Sequence, residues 1–359
     1  MNDESLDFLT ELLEMPSPTG HEMEAQHLWA EQMAPYADKV QCDAYGNTWA
    51  LLRGKGKDPK TLLLDAHADE IGFSIRHIAD DGFVRVERLG GTDVAIARGR
   101  RIRFLGTEGE IIGVTGNTAI HIRDDDGKSP KLWELYVDLG ASSREEVEAM
   151  GLRVGTVGVY CDGPLLMNGK KLVCRALDDR LCGFLLAETA RQLKEADIKP
   201  AWNIVFGNTV QEEIGCIGAQ MLANRINPDA AICLDVTHAT DSPGLDKGRY
   251  GDVRLGKGAC LCHGPACHPN MNARLELLAD KESLPLQHET TGRSTGTNAD
   301  AIFRAHNGVP CANLSMPLRY MHSPVETADL ADVDATVELL VAFIRSLKKT
   351  DDFGHTLKG

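Results

Sequence analysis

At both ends of this 359-residue chain, apolar runs of strand length alternate with amphipathic runs of helix length, and residues 72–164 interrupt that alternation with short β pieces. Strand–helix alternation requires a mixed or parallel sheet with helices on both faces, because the crossover connections lie there. TLLLDA (61–66), WNIVFGNT (202–209), AAICLDV (230–236) and CANLSM (311–316) read as buried strands. Leu6, Leu9, Leu12 and Leu13 follow helical spacing, and PSPTG at 16–20 ends that helix. Further helices are predicted over 22–33, 177–196 and 329–348. In the interruption, FVRVERL, RIRFLG, EIIGVTG and TVGVY alternate between glycine-rich turns, which reads as an antiparallel module or small barrel. SSREEVEAMG at 142–151 adds one helix, with Ser142 or Ser143 as its N-cap. The predicted architecture is an α/β domain made of 1–71 and 165–359, interrupted by a β-rich, barrel-like domain at 72–164.

Charge and composition narrow the partners. With 38 Lys and Arg against 53 Asp and Glu, the formal net charge is −15. Nucleic-acid and anionic-membrane binders want a basic face, so neither partner is expected. No run approaches the ~18 apolar residues of a membrane span, and MNDESLDF lacks a basic, then apolar, leader pattern. The cytoplasm is therefore the expected compartment. The ten cysteines mostly stand singly inside apolar segments, as Cys182 and Cys233 do, and read as buried thiols.

Metal-capable side chains gather where the apolar strands end. His67 and Asp69 follow TLLLDA, Glu212 and Glu213 follow WNIVFGNTV, Asp235 ends AAICLD, and His322 follows CANLSM. Asp178 and Asp179 open the 177–196 helix. Ligands of open α/β sheets bind beyond the carboxyl ends of strands, so one sheet edge can collect all these groups. Two His and three carboxylates hold two divalent metals if one carboxylate bridges, and zinc accepts that donor mix. Such a pair binds a carbonyl oxygen and activates water. A further carboxylate outside the ligand set serves as general base. Glu212–Glu213 offers a ligand and a base side by side, and Asp69 is placed to orient the His67 ring. Singly, each has a plainer reading: Asp178 and Asp179 as carboxylates favoured by the helix dipole, the Glu pair as a solvated loop, His67 as a hydrogen-bonded surface residue. Together they point to a metal-dependent hydrolase.

The segments that carry these residues resemble a known family. DAHADEIGF (65–73), RALDDRLCG (175–183), VQEEIGCIGA (210–219), AICLDVTHATDSPG (231–244), TGTNADAI (295–302) and LRYMHSPVET (318–327) are similar, in that order, to the M42 dinuclear metallo-aminopeptidases. Relatives carry labels such as glutamyl aminopeptidase, FrvX-like and endoglucanase M. VDLGASSREEVEAMGLRVG (137–155) resembles the family's β domain. The resemblance implies a zinc-exopeptidase-like α/β fold with an inserted β domain used for dimerisation. It implies that Asp178 bridges two metals, that His67 and Asp235 hold one, and that Glu213 and His322 hold the other. Glu212 matches the general base and Asp69 the residue that orients His67. It also implies two divalent ions per subunit, zinc with cobalt or manganese as alternatives. Peptides with a free N-terminus are the implied substrates, and dimer-built homo-oligomers up to dodecamers the implied assembly. Asn298 stands where many relatives carry Asp, and Leu318 where Thr is common. Both segments are expected to approach the substrate, so side-chain preference is not carried over.

Other residues are weighed and set aside. Cys260, Cys262, His263, Cys267 and His268 form C-x-C-H-x₃-C-H, but the spacing fits no standard zinc finger, and Pro265 and Pro269 suggest an irregular loop. RDDDGK at 123–128 resembles half a calcium loop without its terminal glutamate spacing, and reads as a hairpin tip. Arg293 and Arg319 either read a substrate carboxylate or form structural ion pairs; His238 and His288 have no assigned role. A deacylase acting on amino-acid conjugates is the nearest alternative activity. A glycoside hydrolase needs two carboxylates and no metal, and 5% aromatic content offers few sugar platforms.

Overall fold

The computed structural model describes residues 1–122 and 129–357. The chain opens with helices α1 (Asp3–Glu14) and α2 (Met23–Met33), then strands β1 (Lys39–Cys42), β2 (Thr48–Leu52) and β3 (Thr61–His67). The interruption holds β4 (Gly72–Ile78), β5 (Val84–Leu89), short α3 (Val94–Ala97), β6 (Arg101–Gly106), β7 (Gly109–Thr115), β8 (Tyr136–Asp138), short α4 (Arg144–Ala149) and β9 (Val157–Tyr160). After it come β10 (Leu165–Met167), β11 (Lys171–Cys174), α5 (Leu177–Glu195), β12 (Asn203–Thr209), α6 (Ile217–Ile226), β13 (Ala230–His238) and short α7 (Lys247–Tyr250). The chain closes with β14 (Ala259–His263), α8 (Pro269–Glu282), β15 (Leu286–Thr290), short α9 (Ala299–Ile302), β16 (Cys311–Leu318), β17 (Glu326–Asp329) and α10 (Leu330–Ser346).

Eight strands form one mixed sheet in the order β1-β2-β12-β3-β13-β16-β14-β15. Its centre, β12, β3, β13 and β16, is parallel. These strands are buried almost throughout, as strands covered on both faces must be. One face packs against α1, α2, α5, α8 and α10 through residues such as Leu9, Trp29, Leu181, Leu275 and Phe343. The other packs against α6 and α9 through Ala219, Leu222 and Ile302. The interruption closes into a six-stranded barrel, β4-β5-β8-β7-β6-β9, around its own core of Phe73, Ile102, Phe104 and Val137. A three-stranded sheet, β10-β11-β17, completes the fold. The α/β class and the barrel-like insert are as expected from the patterning.

Local chemistry fixes several of these elements. Asn2 caps α1 by accepting from Ser5 N at 2.8 Å, and Ser143 caps α4 as predicted, accepting from Glu146 N. Glu70 is buried between two guanidinium groups, accepting at 2.7 Å from Arg175 Nη1 and at 2.7 Å from Arg180 Nη2. Arg180 also donates to Leu12 O at 2.6 Å, and Arg175 to Glu14 O at 2.8 Å. The last carbonyls of α1 are thereby tied to the start of α5 and to the chain just after β3. All ten cysteines are free thiols, and most are buried. Among the described residues, no helix is long and apolar enough to cross a membrane.

One expectation is corrected in part, and another falls outside the described residues. Residues 260–268 are only partly the irregular loop expected: Cys260, Cys262 and His263 lie in β14, a turn through Pro265 follows, and His268 caps α8 by accepting from Asn270 N. The five Cys and His side chains do not converge on one point: Cys262 meets Cys267, while His268 packs against His355 and His263 faces His288. The 123–128 segment, read as a hairpin tip, lies outside the described residues.

Candidate metal centre

Parallel pairing brings the carboxyl ends of the central strands to one edge. His67 is the last residue of β3 and pairs with Thr209, the last of β12, so the 210–213 segment emerges beside it. Asp235 lies within β13 next to Ser315 of β16, and His322 follows β16 by four residues. Asp178 and Asp179 come from the opposite direction, at the start of α5. Their backbone is not helical, with ψ 106° and 32°, and the peptide between them is cis. They therefore do not serve as dipole carboxylates of the first helical turn. Asp178 points into the site, and Asp179 accepts from His67 N at 3.2 Å.

The two oxygens of Asp178 face two different imidazoles. Oδ1 is 3.1 Å from His67 Nε2, and Oδ2 is 3.2 Å from His322 Nε2. Asp235 Oδ1 stands 3.9 Å from His67 Nε2, and Glu213 Oε1 stands 3.4 Å from His322 Nε2. This gives two triads, His67–Asp178–Asp235 and Asp178–Glu213–His322, each with its donor atoms within 4.8 Å of one another. Glu212 Oε2 lies 4.0 Å from His67 Nε2 and belongs to neither triad. Asp69 sits behind, with Oδ1 3.4 Å and its carbonyl oxygen 3.1 Å from His67 Nδ1. Its carboxylate also accepts from Glu212 N at 2.9 Å and Glu213 N at 3.2 Å. One buried side chain thus sets the first imidazole and the backbone of both glutamates.

The sequence reading missed two parts of this frame, Glu326 and Gly91, and named a third, Asp179, without its role. Glu326 accepts from Asp178 N at 3.0 Å and from His322 N at 2.8 Å, clamping the segments that carry the shared carboxylate and the second imidazole. Asp179 does the same for the backbone of His67. Gly91 packs on the His322 ring, where a Cβ would lie 2.4 Å from Nδ1, so only glycine fits. The double glycine at 90–91 was the available signal; Glu326 leaves none beyond being acidic. Ala176, Gln211, Cys216, Tyr320 and His322 all have φ near +60°, an uncommon backbone for residues with a Cβ that gathers at functional sites.

A cavity of about 380 Å³ opens over the triads, lined by Asp178, Glu212, Glu213, Asp235 and His322 together with Gly215, Cys216, Gly296 and Met321. Asn298 and Leu318 are buried away from it. Asn298 donates to Asp65 Oδ2 at 2.8 Å and Thr209 Oγ1 at 2.9 Å, so its neutral amide supports a buried carboxylate under the site. The neighbouring Gly296 and Met321 do reach the cavity wall. Arg319 is engaged by Asp241 through two 2.7 Å contacts and is a structural ion pair. Arg293 is exposed in the 291–297 loop.

The electrostatics of the centre call for cations. Burial drives Asp235 well above the carboxylate range, with Asp179 adding to it. Burial also raises Glu213, and it pushes Glu212 up to about 7 with help from Asp178, Glu213 and Asp69 against His67. For the imidazoles burial acts downward, but hydrogen bonds to Asp178 and Asp69 carry His67 well above its usual value, and Asp178 and Glu213 bring His322 up to about 11. Burial opposes ionisation of Asp178, yet its two imidazole partners hold it below the carboxylate range. Two imidazoles face five carboxylates within 4.0 Å here: Asp69, Asp178, Glu212, Glu213 and Asp235. Imidazole nitrogens and carboxylate oxygens converging in two triads, with a carboxylate common to both, fit a pair of divalent ions.

The profile of the M42 glutamyl aminopeptidase family matches residues 46–339. The chain belongs to the M42 family. A lysyl aminopeptidase of Pyrococcus furiosus is 37% identical over 96% of this chain and 98% of its own length. Among solved structures, an aminopeptidase of the archaeon Desulfurococcus kamchatkensis superposes with TM-score 0.90 at 33% identity, covering 96% of each chain. The Pyrococcus horikoshii TET1 peptidase, described as assembling into a tetrahedron or a large octahedral shell, gives TM-score 0.84 at 30% identity over 96% of this chain and all of its own. M42 membership makes this an aminopeptidase-type hydrolase, with the fold expected of the family.

Proposed function

We propose that this M42 protein is a dinuclear metal-dependent aminopeptidase that removes N-terminal residues from peptides. The observation that carries the reading is Asp178, whose two oxygens address His67 and His322 separately. On this reading His67, Asp178 and Asp235 hold one ion, and Asp178, Glu213 and His322 hold the second. Zinc suits these donors, and cobalt or manganese compete where they are available. When bound, such ions supply Lewis acidity to the scissile carbonyl and make water acidic enough to attack.

The chain's own groups do the rest. Glu212, outside both triads and on the cavity wall, takes the proton from the attacking water and passes it to the departing amine. Asp69 holds the His67 ring and, through two backbone N–H groups, the direction of Glu212 and Glu213. Cys216 Sγ lies 3.4 Å from Glu212 Oε1 and limits its rotation. The acidic cavity wall favours the α-ammonium of a free N-terminus and offers nothing to a blocked one. Glu212→Gln should therefore keep both metal equivalents by elemental analysis and lose roughly 10²–10⁴ in kcat. Loss of metal together with activity would make Glu212 a ligand instead.

The tetrahedral or octahedral shell of the P. horikoshii relative and the dodecamer of PhTET1-12s support assembly of this chain into a homo-oligomer, for which we propose dimers as the building unit. The barrel is the proposed dimer contact. Ile112 and Val114 alternate outward on β7, and they, Ile120, Ile122 and Trp133 are exposed apolar residues of the insert. Exposed apolar groups concentrated in one module mark a protein contact.

A further inference from the structure

The outer edge of the main sheet carries a second group of ligating side chains. His263 ends β14, His288 sits in the middle of edge strand β15, and Glu276 projects from α8. His263 Nε2 and His288 Nδ1 are 3.0 Å apart, and Glu276 Oε1 lies 3.7 Å from the first and 3.9 Å from the second. A triangle with those sides has its equidistant point about 2.1 Å from each corner. Zinc bonds imidazole nitrogen and carboxylate oxygen at about 2.0–2.2 Å, so one ion satisfies all three atoms with little movement.

The scaffold holds these donors in place through other bonds. β14 and β15 run parallel in fixed register, with Leu261 beside His288 and His263 beside Thr290. Asn272 of α8 donates to Cys262 O at 2.8 Å, tying the helix to β14. The three side chains are 41–51% exposed, so an ion there keeps positions open to water. Asp280, one helical turn beyond Glu276, lines the same depression of about 250 Å³ and adds a carboxylate beside it. The donors are two imidazoles and a carboxylate, which suit Zn²⁺, Ni²⁺ and Cu²⁺ and not the all-oxygen preferences of Mg²⁺ or Ca²⁺.

We propose that His263, Glu276 and His288 form a third divalent-metal site, separate from the catalytic pair, that staples the edge strand β15 to β14 and α8. The staple lies at the foot of the 291–297 loop. Thr291 N donates to His263 O at 2.9 Å, and Gly296 at the far end of that loop lines the catalytic cavity.

The test is a metal count on the full chain. Wild type, His288→Ala and Glu276→Gln are equilibrated with micromolar Zn²⁺, freed of unbound ion by gel filtration, and analysed for bound zinc. Each variant should carry one equivalent fewer than wild type. Glu276→Gln changes an exposed helix position and keeps the test independent of any folding defect at His288. In wild type whose other sites are filled with zinc, one added equivalent of Cu²⁺ should give an electron-spin-resonance spectrum with nitrogen splitting, absent from His288→Ala. Equal zinc in all three proteins, or uptake of the extra equivalent only at millimolar zinc, overturns the site. The difference between wild type and variant stands apart from the catalytic reading: a protein whose central triads bound nothing would still carry one equivalent here and lose it in His288→Ala.

Discussion

Asp178 shows how one residue can carry two readings in sequence that only its backbone separates. Its position at a helix start suggested a dipole carboxylate, but a non-helical backbone turns it between His67 and His322. His67, Glu212, Glu213, Asp235 and His322 were legible because each follows or ends an apolar strand, where buried polar side chains need a reason. Glu326 was not legible, because its work is to accept from the backbone of Asp178 and His322, which leaves no pattern. Arg319 stayed ambiguous in sequence because its partner, Asp241, is 78 residues away. A further residue titrates outside the centre. Asp332 is fully buried and accepts from Gly256 N at 2.7 Å and Gly258 N at 2.6 Å. Burial pushes it up to about 6, against the pull of those two bonds. The folded chain then holds this proton more tightly than the unfolded chain. Its contribution to stability is fully present below about pH 4 and is lost as pH rises through about 6. Asp332→Asn removes the titration. The stability difference between wild type and variant should shift by roughly 3 kcal/mol in favour of the variant between about pH 4 and pH 7. Denaturant titrations that show a constant difference would contradict it.

Among elements, the central strands and long helices were legible because burial on both faces writes apolar runs and helical spacing into the chain. The margins were not. β1 and β15 are edge strands with mixed polar exposure, and β14 was hidden in a Cys- and His-rich segment that looked like a loop. What joins α1 to α5 was equally hidden: Glu70 lies more than a hundred residues before Arg175 and Arg180 and meets them only in the fold. This junction gives the element-level prediction. Glu70→Gln leaves two buried guanidinium groups without their carboxylate, and breaking such a pair costs roughly 3–5 kcal/mol. Chemical denaturation should show a loss of that size, with α1 losing amide protection first in hydrogen exchange. A loss below about 1 kcal/mol would mean that Arg175 and Arg180 are satisfied by the α1 carbonyls alone.

On the scale of the whole molecule, the insert divides the labour. The α/β part collects ligands at one sheet edge, while the barrel lends Gly90 and Gly91 to the site and carries exposed apolar residues on its outside. Ile112 is 59% and Trp133 70% exposed, an unfavourable arrangement for a surface left in water. A chain with a net charge of −15 also repels its copies, so association needs such apolar contact. Ile112→Asp combined with Trp133→Ser should sediment as a smaller species than wild type with unchanged metal content. Identical sedimentation would move the contact elsewhere, for example to the exposed apolar residues Leu165, Leu166 and Met167 of β10.

The central claim is that two ions at His67, Asp178, Glu213, Asp235 and His322 serve hydrolysis at a free N-terminus. The direct measurement strips the protein with a chelator, restores Zn²⁺, Co²⁺ or Mn²⁺ separately, and assays aminoacyl-anilides beside their N-acetylated counterparts and a β-glucan. Activity should disappear on stripping, return with metal, and be confined to the unblocked anilides. Activity that survives chelation, or turnover of acetylated substrates or glucan at comparable rates, would contradict it.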